Sequence, residues 1–533
     1  MNRSSSNSTA VPRKFRVGTY LTAAATATAA SLAIGFASPG DFARGFLAAL
    51  ALALPACFVG AIAFLRLDRR ASTGALMILA FALRLGFGLA TENLLPVYGY
   101  PDEPQQQNGY LFDDAWRRDT EARLLAVDPR DSIPLSETFT HVYHNDQYGG
   151  IAALTIWIYR LLSPDAWRFA LMILLGAWAT AIGVPFLRTA IERRAGGRVA
   201  LIASLIFVFY PDAIVYAGAP MREPFLIGLI AIAVWAMFTM RENPLRSALV
   251  FAGCVAAMIP LSLFVVGAAL IWGAVWVWAE FLIPRSKAWL TVGILVIAVG
   301  GTAALLTTGG LIETYIHFDL HTTENQSGWV EKVVGEVGGQ FRTLFLGVYG
   351  LTQPVLPAIL FYQPTTPYWK AVGIFRAAGW YLIVAVLFYA LFSTRRIEDR
   401  EKRTTMTVGA LFLAGWILAS SIRAGGDQWD NPRYRLIFLP LIAYYCAWGV
   451  DFALRTRDAW LARWVAIEAV FVVFFSQWYY SRYSGDAIRR FPFWRTVVYI
   501  FVASGLIFAT GLIRPIRARL AARRTEKDAE VRK

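Results

Sequence analysis

Asp113 and Asp114 lie in the stretch Gly109-Tyr110-Leu111-Phe112-Asp113-Asp114-Ala115-Trp116-Arg117-Arg118-Asp119. That stretch is the centre of a segment, Glu92 to Gln147, which holds eleven Asp and Glu residues between long apolar runs. A carboxylate in such a place can take a proton from an acceptor hydroxyl or bind a cation. Moving a group off a phosphate needs that base together with cationic groups around the leaving phosphate. Asp113 with Arg117, and Asp114 with Arg118, supply both types at i,i+4 spacing. The same spacing also describes a solvated, salt-bridged helix face with no chemistry of its own. Asp102-Glu103, flanked by prolines, is a rival acidic position or an ordinary loop.

Three further charged constellations accompany it. Arg222-Glu223 sits in a very short connection, Ala219-Pro220-Met221-Arg222-Glu223-Pro224, where charge is costly unless paired or functional. It reads as a phosphate contact, as a mutual ion pair or as a headgroup anchor. Asp427-Gln428-Trp429-Asp430-Asn431-Pro432-Arg433-Tyr434-Arg435 places Arg433 and Arg435 around Tyr434 at the mouth of a late apolar run. Guanidinium groups there suit a lipid-linked phosphate, whose oxygens they can hold in pairs, or anchor to lipid headgroups. Arg84 falls inside an apolar run, Phe81-Ala82-Leu83-Arg84-Leu85, and is expected to pair with an acid facing the bundle interior or, alternatively, to snorkel towards an interface. The four histidines, His141, His144, His317 and His321, have acids nearby, but two histidines alone define no metal site, and none is expected. Asn325-Gln326-Ser327 fits a glycosylation triplet of a kind that also arises by chance.

The elements that must position these groups are membrane helices. The 533 residues are 57% hydrophobic with mean hydropathy +0.48, and apolar runs of about 18 residues or more recur along the chain. The patterning predicts an all-α polytopic membrane protein with about 14 transmembrane helices. We expect them near 17–37, 45–65, 73–90, 166–187, 199–218, 224–240, 247–261, 262–283, 288–308, 372–392, 405–422, 434–453, 464–480 and 493–513. Residues 110–126 read as an amphipathic surface helix, 148–162 as a short interfacial one, and 344–362, with Pro354 and Pro357, as re-entrant or interfacial. The net charge of +15 resides mostly at span ends, so no nucleic-acid partner is expected. Basic connections alternate with the acidic ones, which predicts both termini in the cytoplasm and all four charged constellations outside. Cys57, Cys254 and Cys446 fall in apolar runs, so the fold does not rest on disulfides. No cleavable secretory signal is evident.

In order and topology these motifs resemble the GT-C superfamily of integral membrane glycosyltransferases, which includes protein mannosyltransferases and the aminoarabinose transferase of lipid A. Arg84-Leu85 looks like the pair on the first core span. Asp113-Asp114-Ala115-Trp116 looks like the acidic motif of the first outer loop. Arg193-Arg194 to Arg198, Phe209-Tyr210-Pro211 and Arg222-Glu223 look like the middle motifs, and Arg433-Tyr434-Arg435 like the last. The match runs from about Thr73 to Ala453. It departs in lacking a doubled proline after the acidic loop, in carrying Arg222-Glu223 where a clear Asp is usual, and in two extra preceding spans. The organisation it implies is a tail and two extra spans over 1–72, and a catalytic core over 73–240 with an acidic loop at 92–147. Further spans, with a loop at 311–370 and the Arg-Tyr-Arg motif, cover 241–453, and C-terminal spans with a basic tail cover 454–533.

The resemblance implies a sugar donor on a polyprenyl phosphate and a lipid, glycan or protein acceptor, at the outer face of the cell membrane. Asp113 or Asp114 is then the catalytic carboxylate. Arg84, Arg117, Arg222, Glu223, Arg433, Tyr434 and Arg435 bind substrate. The resemblance fixes no cofactor, and a divalent cation stays open. Two other classes share outer charges: a transporter or flippase for lipid-linked glycans, and a glycan polymerase or ligase using a lipid-diphosphate donor.

Overall fold

The structure is a computed structural model. It describes residues 12–127, 133–134, 137–138, 149–286, 288–289, 291–293, 295, 335–336, 341–361, 366–424, 430–483 and 491–531. The histidines, the 325–327 triplet, residues 427–429 and most of the expected span at 288–308 lie outside them. Among the described residues the chain is helical and has no strand. It divides into two compact units, residues 1–270 and 271–533.

The first unit opens with α1 (Arg13–Ala37), α2 (Phe42–Leu67) and α3 (Ala71–Tyr98). One-turn helix α4 (Pro104–Gln107), amphipathic α5 (Asp113–Val127) and short apolar α6 (Gly150–Leu162) follow. The unit continues with α7 (Ala170–Ala195), α8 (Gly197–Phe209), α9 (Pro211–Ala217), α10 (Glu223–Phe238), α11 (Pro244–Met258) and the start of α12 (Leu263–Val277). Helix α7 is the hub and packs on α2, α3, α8 and α10. Its contact with α10 is backbone-close: a Cβ on Gly228 would lie 2.0 Å from the Ala179 carbonyl oxygen, so only glycine fits there.

In the second unit, after α12, come α13 (Arg342–Thr352), α14 (Leu356–Phe361), α15 (Pro367–Ser393) and α16 (Arg400–Arg423). The last four helices are α17 (Asp430–Leu436), α18 (Leu439–Thr456), α19 (Ala459–Tyr483) and α20 (Phe493–Val531).

Nine helices among the described residues are long and apolar enough to cross a membrane, and a tenth results if α8 and α9 are counted as one bent span. The chain is therefore a multi-pass membrane protein. Several expected spans are shorter or interrupted. The apolar run 199–218 breaks at Tyr210-Pro211 with a bend of 46°. The runs at 224–240 and 247–261 form helices of 16 and 15 residues. The run 344–362 breaks at Gln353-Pro354 into α13 and α14, as its prolines dictate.

Each end of the first unit has its own ionic character. At one end, Asp68 accepts from Thr73 (2.6 Å) and faces Arg188 (3.5 Å), while Arg70 bridges to Glu192 at 2.6 Å. Arg193 pairs with Glu242 there. At the other end, Arg168, fully buried, holds Asp165 at 2.9 Å and donates to the Asp41 carbonyl at 3.0 Å. This fastens the α1–α2 turn to the connection that carries α4, α5 and α6.

Candidate functional site

Helix α5 is built from the pattern of its own side chains. Ala115, Asp119, Ala122 and Ala126 recur at helical spacing and are all buried, whereas Asp113, Arg117 and Glu121 face outward. The buried stripe packs on Ala152, Ala153, Ile156 and Tyr159 of α6. Arg160 of α6 closes the far end of α5, donating to the carbonyls of Leu125 (2.6 Å), Ala126 (2.9 Å) and, beyond the helix, Ile133. Such a cation satisfies the carbonyls that a helix C-terminus leaves open.

One acid lies on the apolar stripe. Asp119 is 3% exposed. Its Oδ2 accepts from the Tyr110 hydroxyl at 2.6 Å, the Tyr159 hydroxyl at 2.7 Å and the Trp167 indole N–H. Arg123 lies over the rings of Tyr159 and Trp167, 5.8 Å and 5.5 Å from their centroids. Burial pushes the Asp119 carboxyl above the usual aspartate range, against the pull of the three donors and of Arg123. Burial likewise pushes the Tyr110 phenol well above its usual range, so it remains a donor. Gly109 makes this geometry reachable. Its φ is +78°, and a Cβ there would lie 2.6 Å from the Glu92 carbonyl oxygen, so glycine alone brings Tyr110 against the end of α3.

The residues singled out from sequence are distributed as follows. Asp113 and Asp114 occupy the first turn of α5, where the helix dipole favours carboxylates. Asp113 is half exposed and bridged to Arg117 at 2.8 Å, the pair its i,i+4 spacing indicates. Asp114 is half-buried. Phe112, just before them, stacks on Tyr216 of α9 with ring centroids 5.0 Å apart. Arg222 lies 3.5 Å from buried Glu223 and donates to the Leu261 carbonyl at 3.4 Å.

Arg84 is fully buried. Its guanidinium donates to the carbonyls of Ala80 (3.0 Å), Phe207 (3.0 Å) and Val208 (3.2 Å). The cause is Pro211: without an N–H it cannot bond the Phe207 carbonyl, and the bend takes the Val208 carbonyl out of register. Arg84 therefore caps a broken helix, and its partners among the described residues are backbone carbonyls and not the acid expected from sequence.

Arg433, Tyr434 and Arg435 belong to the second unit. Arg435 is 1% exposed and stacks over the Trp380 ring at 3.6 Å from its centroid. Arg423 lies over the Tyr434 ring at 4.5 Å. The Trp380 and Trp416 indoles donate to the carbonyls of Leu351 (2.9 Å) and Tyr434 (3.2 Å). Arg423 and Arg435, each over an aromatic ring, make a largely buried cationic and aromatic cluster.

Sequence reasoning missed Asp119 and Glu92 as structural participants. The signal for Asp119 was an acid at the i+4 position of an alanine stripe, hidden by the charged residues beside it. Among the described residues no group of three or more His, Cys, Asp or Glu side chains could hold a metal ion. No protein-family model matches the chain, and no curated protein matches it.

Proposed function

We propose that the chain is a GT-C-type membrane glycosyltransferase that moves a sugar from a polyprenyl-phosphate donor to an acceptor at the extracytoplasmic face of the cell membrane. The observation that carries this reading is the α5–α6 cap. A connection after a membrane helix folds into an amphipathic helix, locked underneath by Asp119, which presents Asp113 and Asp114 at its N-terminus. In this reading α10, α11 and α18, of 16, 15 and 18 residues, also cross the bilayer, towards the fourteen spans of the hydropathy pattern.

In the reaction, Asp113 or Asp114 accepts the proton of the acceptor hydroxyl. The acceptor oxygen forms a bond to the anomeric carbon, and the carbon–oxygen bond to phosphate breaks with its electron pair leaving on the phosphate. In the first unit Arg117, Arg222 and Glu223 line the approach, and in the second unit Arg433, Tyr434 and Arg435, taken by themselves, form a cationic and aromatic cluster of a kind suited to a lipid-linked phosphate. Arg84 contributes by fixing the α8–α9 break.

That break is the observation that would favour a carrier, because unwound helices commonly line carrier sites. Here the freed carbonyls are occupied by Arg84, so they offer no ion site. Purified protein and a radiolabelled polyprenyl-phosphate sugar provide the test. Transfer is expected to fall at least a hundredfold in the Asp113→Ala, Asp114→Ala double variant, on the order of a lost general base. Undiminished transfer in that variant sinks the assignment. Movement of lipid-linked sugar in proteoliposomes without covalent transfer would favour the carrier.

A further inference from the structure

At the end of the first unit that carries Asp68 and Arg188, the N-terminus of α1 lies beside the C-terminus of α2, with the Phe15 and Phe64 rings 6.2 Å apart. A groove of about 570 Å³ opens there. One wall is α1 from Lys14 to Thr26, the other is α3 from Ala71 to Ile78, and α2 lies between them. Trp178 of α7 forms the floor, reached because Gly60 has no side chain: a Cβ there would lie 2.2 Å from the Trp178 ring.

The wall and the mouth differ in character. The wall hydroxyls, on Thr19, Thr22 and Thr26, each donate their single hydrogen to the carbonyl four residues back, at 2.9 Å. No acid is among the described residues that line the groove. Its interior therefore offers hydrocarbon contact and no charge. Lys14 stands at the mouth, with Arg13 and Arg16 in the same turn of α1. All three are exposed, and none has an ion pair among the described residues. The acids at this end are engaged elsewhere: Asp68 faces Arg188, Glu192 bridges to Arg70 and Glu242 pairs with Arg193.

Dimensions select the occupant. At ~1.5 Å per residue, Lys14 to Thr26 is about 18 Å of helix and Ala71 to Ile78 about 10 Å. That depth is about half of a ~30 Å hydrocarbon core, the share of one leaflet. A helix from a second copy, ~10 Å across and as long as the groove, fills roughly 1,400 Å³, more than twice the space present. Residues 1–11 are mostly Ser, Asn and Thr and hold no apolar run to enter it. A slender apolar chain ending in a negative charge matches both wall and mouth.

We infer that the groove is a binding site for a phospholipid of net negative headgroup, from the leaflet that borders the α1 N-terminus. One acyl chain lies between α1 and α3 down to Trp178, and the phosphate rests beside Lys14 with Arg13 and Arg16. The site lies at the end of α3 away from α5, so it is independent of the transfer centre proposed above.

The test uses the full chain in phosphatidylcholine nanodiscs doped with phosphatidylglycerol brominated in mid-chain, which quenches tryptophan on contact. Comparison with Trp178→Phe isolates the floor among the 19 tryptophans. Quenching of Trp178 should saturate, at a mole fraction at least about fivefold below that for brominated phosphatidylcholine, the size of one cation's attraction to an anionic headgroup. Lys14→Gln should remove most of that preference. Gly18→Leu and Gly74→Leu fill the groove from opposite walls. A Cβ on Gly18 meets nothing within 4 Å and one on Gly74 only the Phe64 ring at 3.5 Å, so both proteins should fold with an unaltered melting temperature and lose the saturable quenching. Equal saturation by the two lipids overturns the inference. So does undiminished preference in Lys14→Gln, undiminished quenching in both leucine variants, or displacement of the phospholipid by an equal mole fraction of polyprenyl phosphate.

Discussion

Asp113 and Asp119 sit six positions apart on α5 and carry the same carboxyl group into opposite surroundings. Asp113 is half in water beside one exposed arginine, and Asp119 is sealed beneath the helix by three neutral donors and Arg123. An exposed ion pair contributes little to stability because water competes for both partners. A buried carboxylate must be satisfied by fixed donors, which ties it to the fold. One helix thus carries a solvent-accessible, ion-paired carboxylate and another that cannot leave its place.

Removal of Asp119 should have the largest effect on stability. Asp119→Ala strands two phenols, an indole and Arg123 under the cap, at a cost of about 3–5 kcal/mol. Thermal unfolding in detergent should show the loss, and hydrogen exchange should place it in α5 and α6. A melting temperature within a degree or so of the unmodified protein would erase the contrast between the two acids. The comparison also has a pH axis. The folded protein holds the Asp119 proton more tightly than the unfolded chain does, because the carboxyl is raised on folding. That contribution is complete below the ordinary aspartate range and is lost as pH rises through the elevated value. Asp119→Asn should flatten this part of the stability curve, and Asp113→Asn should leave it intact.

Arg84→Leu comes next, at about 2–4 kcal/mol, since it leaves the Phe207 and Val208 carbonyls without a donor inside the bundle. Thermal unfolding measures it, and Arg84→Lys should recover part of the loss. Asp113→Ala should have the smallest effect on stability, within about 1 kcal/mol. Its effect on sugar transfer, if Asp113 is the base, should be the largest of the set. A stability loss equal to that of Asp119→Ala would move Asp113 from chemistry to architecture.

Long apolar helices such as α7 were legible in hydropathy, because a 26-residue helix surrounded by protein or lipid has a composition that no loop has. The α5 ion pair was legible too, since i,i+4 partners meet on any helix. The break at Pro211 was harder to read. Pro55, Pro96 and Pro185 lie inside continuous helices, so proline alone does not announce a bend. What distinguishes Pro211 is a guanidinium from α3 waiting for the freed carbonyls, 124 positions away in sequence from Val208. Asp119 was illegible for the same reason. Its identity as a structural acid depends on Tyr159 and Trp167, which are 40 and 48 residues further along the chain.

That separation gives the cap a timetable. At a synthesis rate of ~5–20 residues per second, Trp167 emerges roughly 2–10 s after Asp119. Until Tyr159 emerges, 40 residues after Asp119, α5 has only Tyr110 and its own Arg123 to receive its acid, and water must solvate the rest. The cap therefore closes from its later half: α6 and Trp167 arrive, and only then does the acidic helix have a reason to turn its alanine stripe inward.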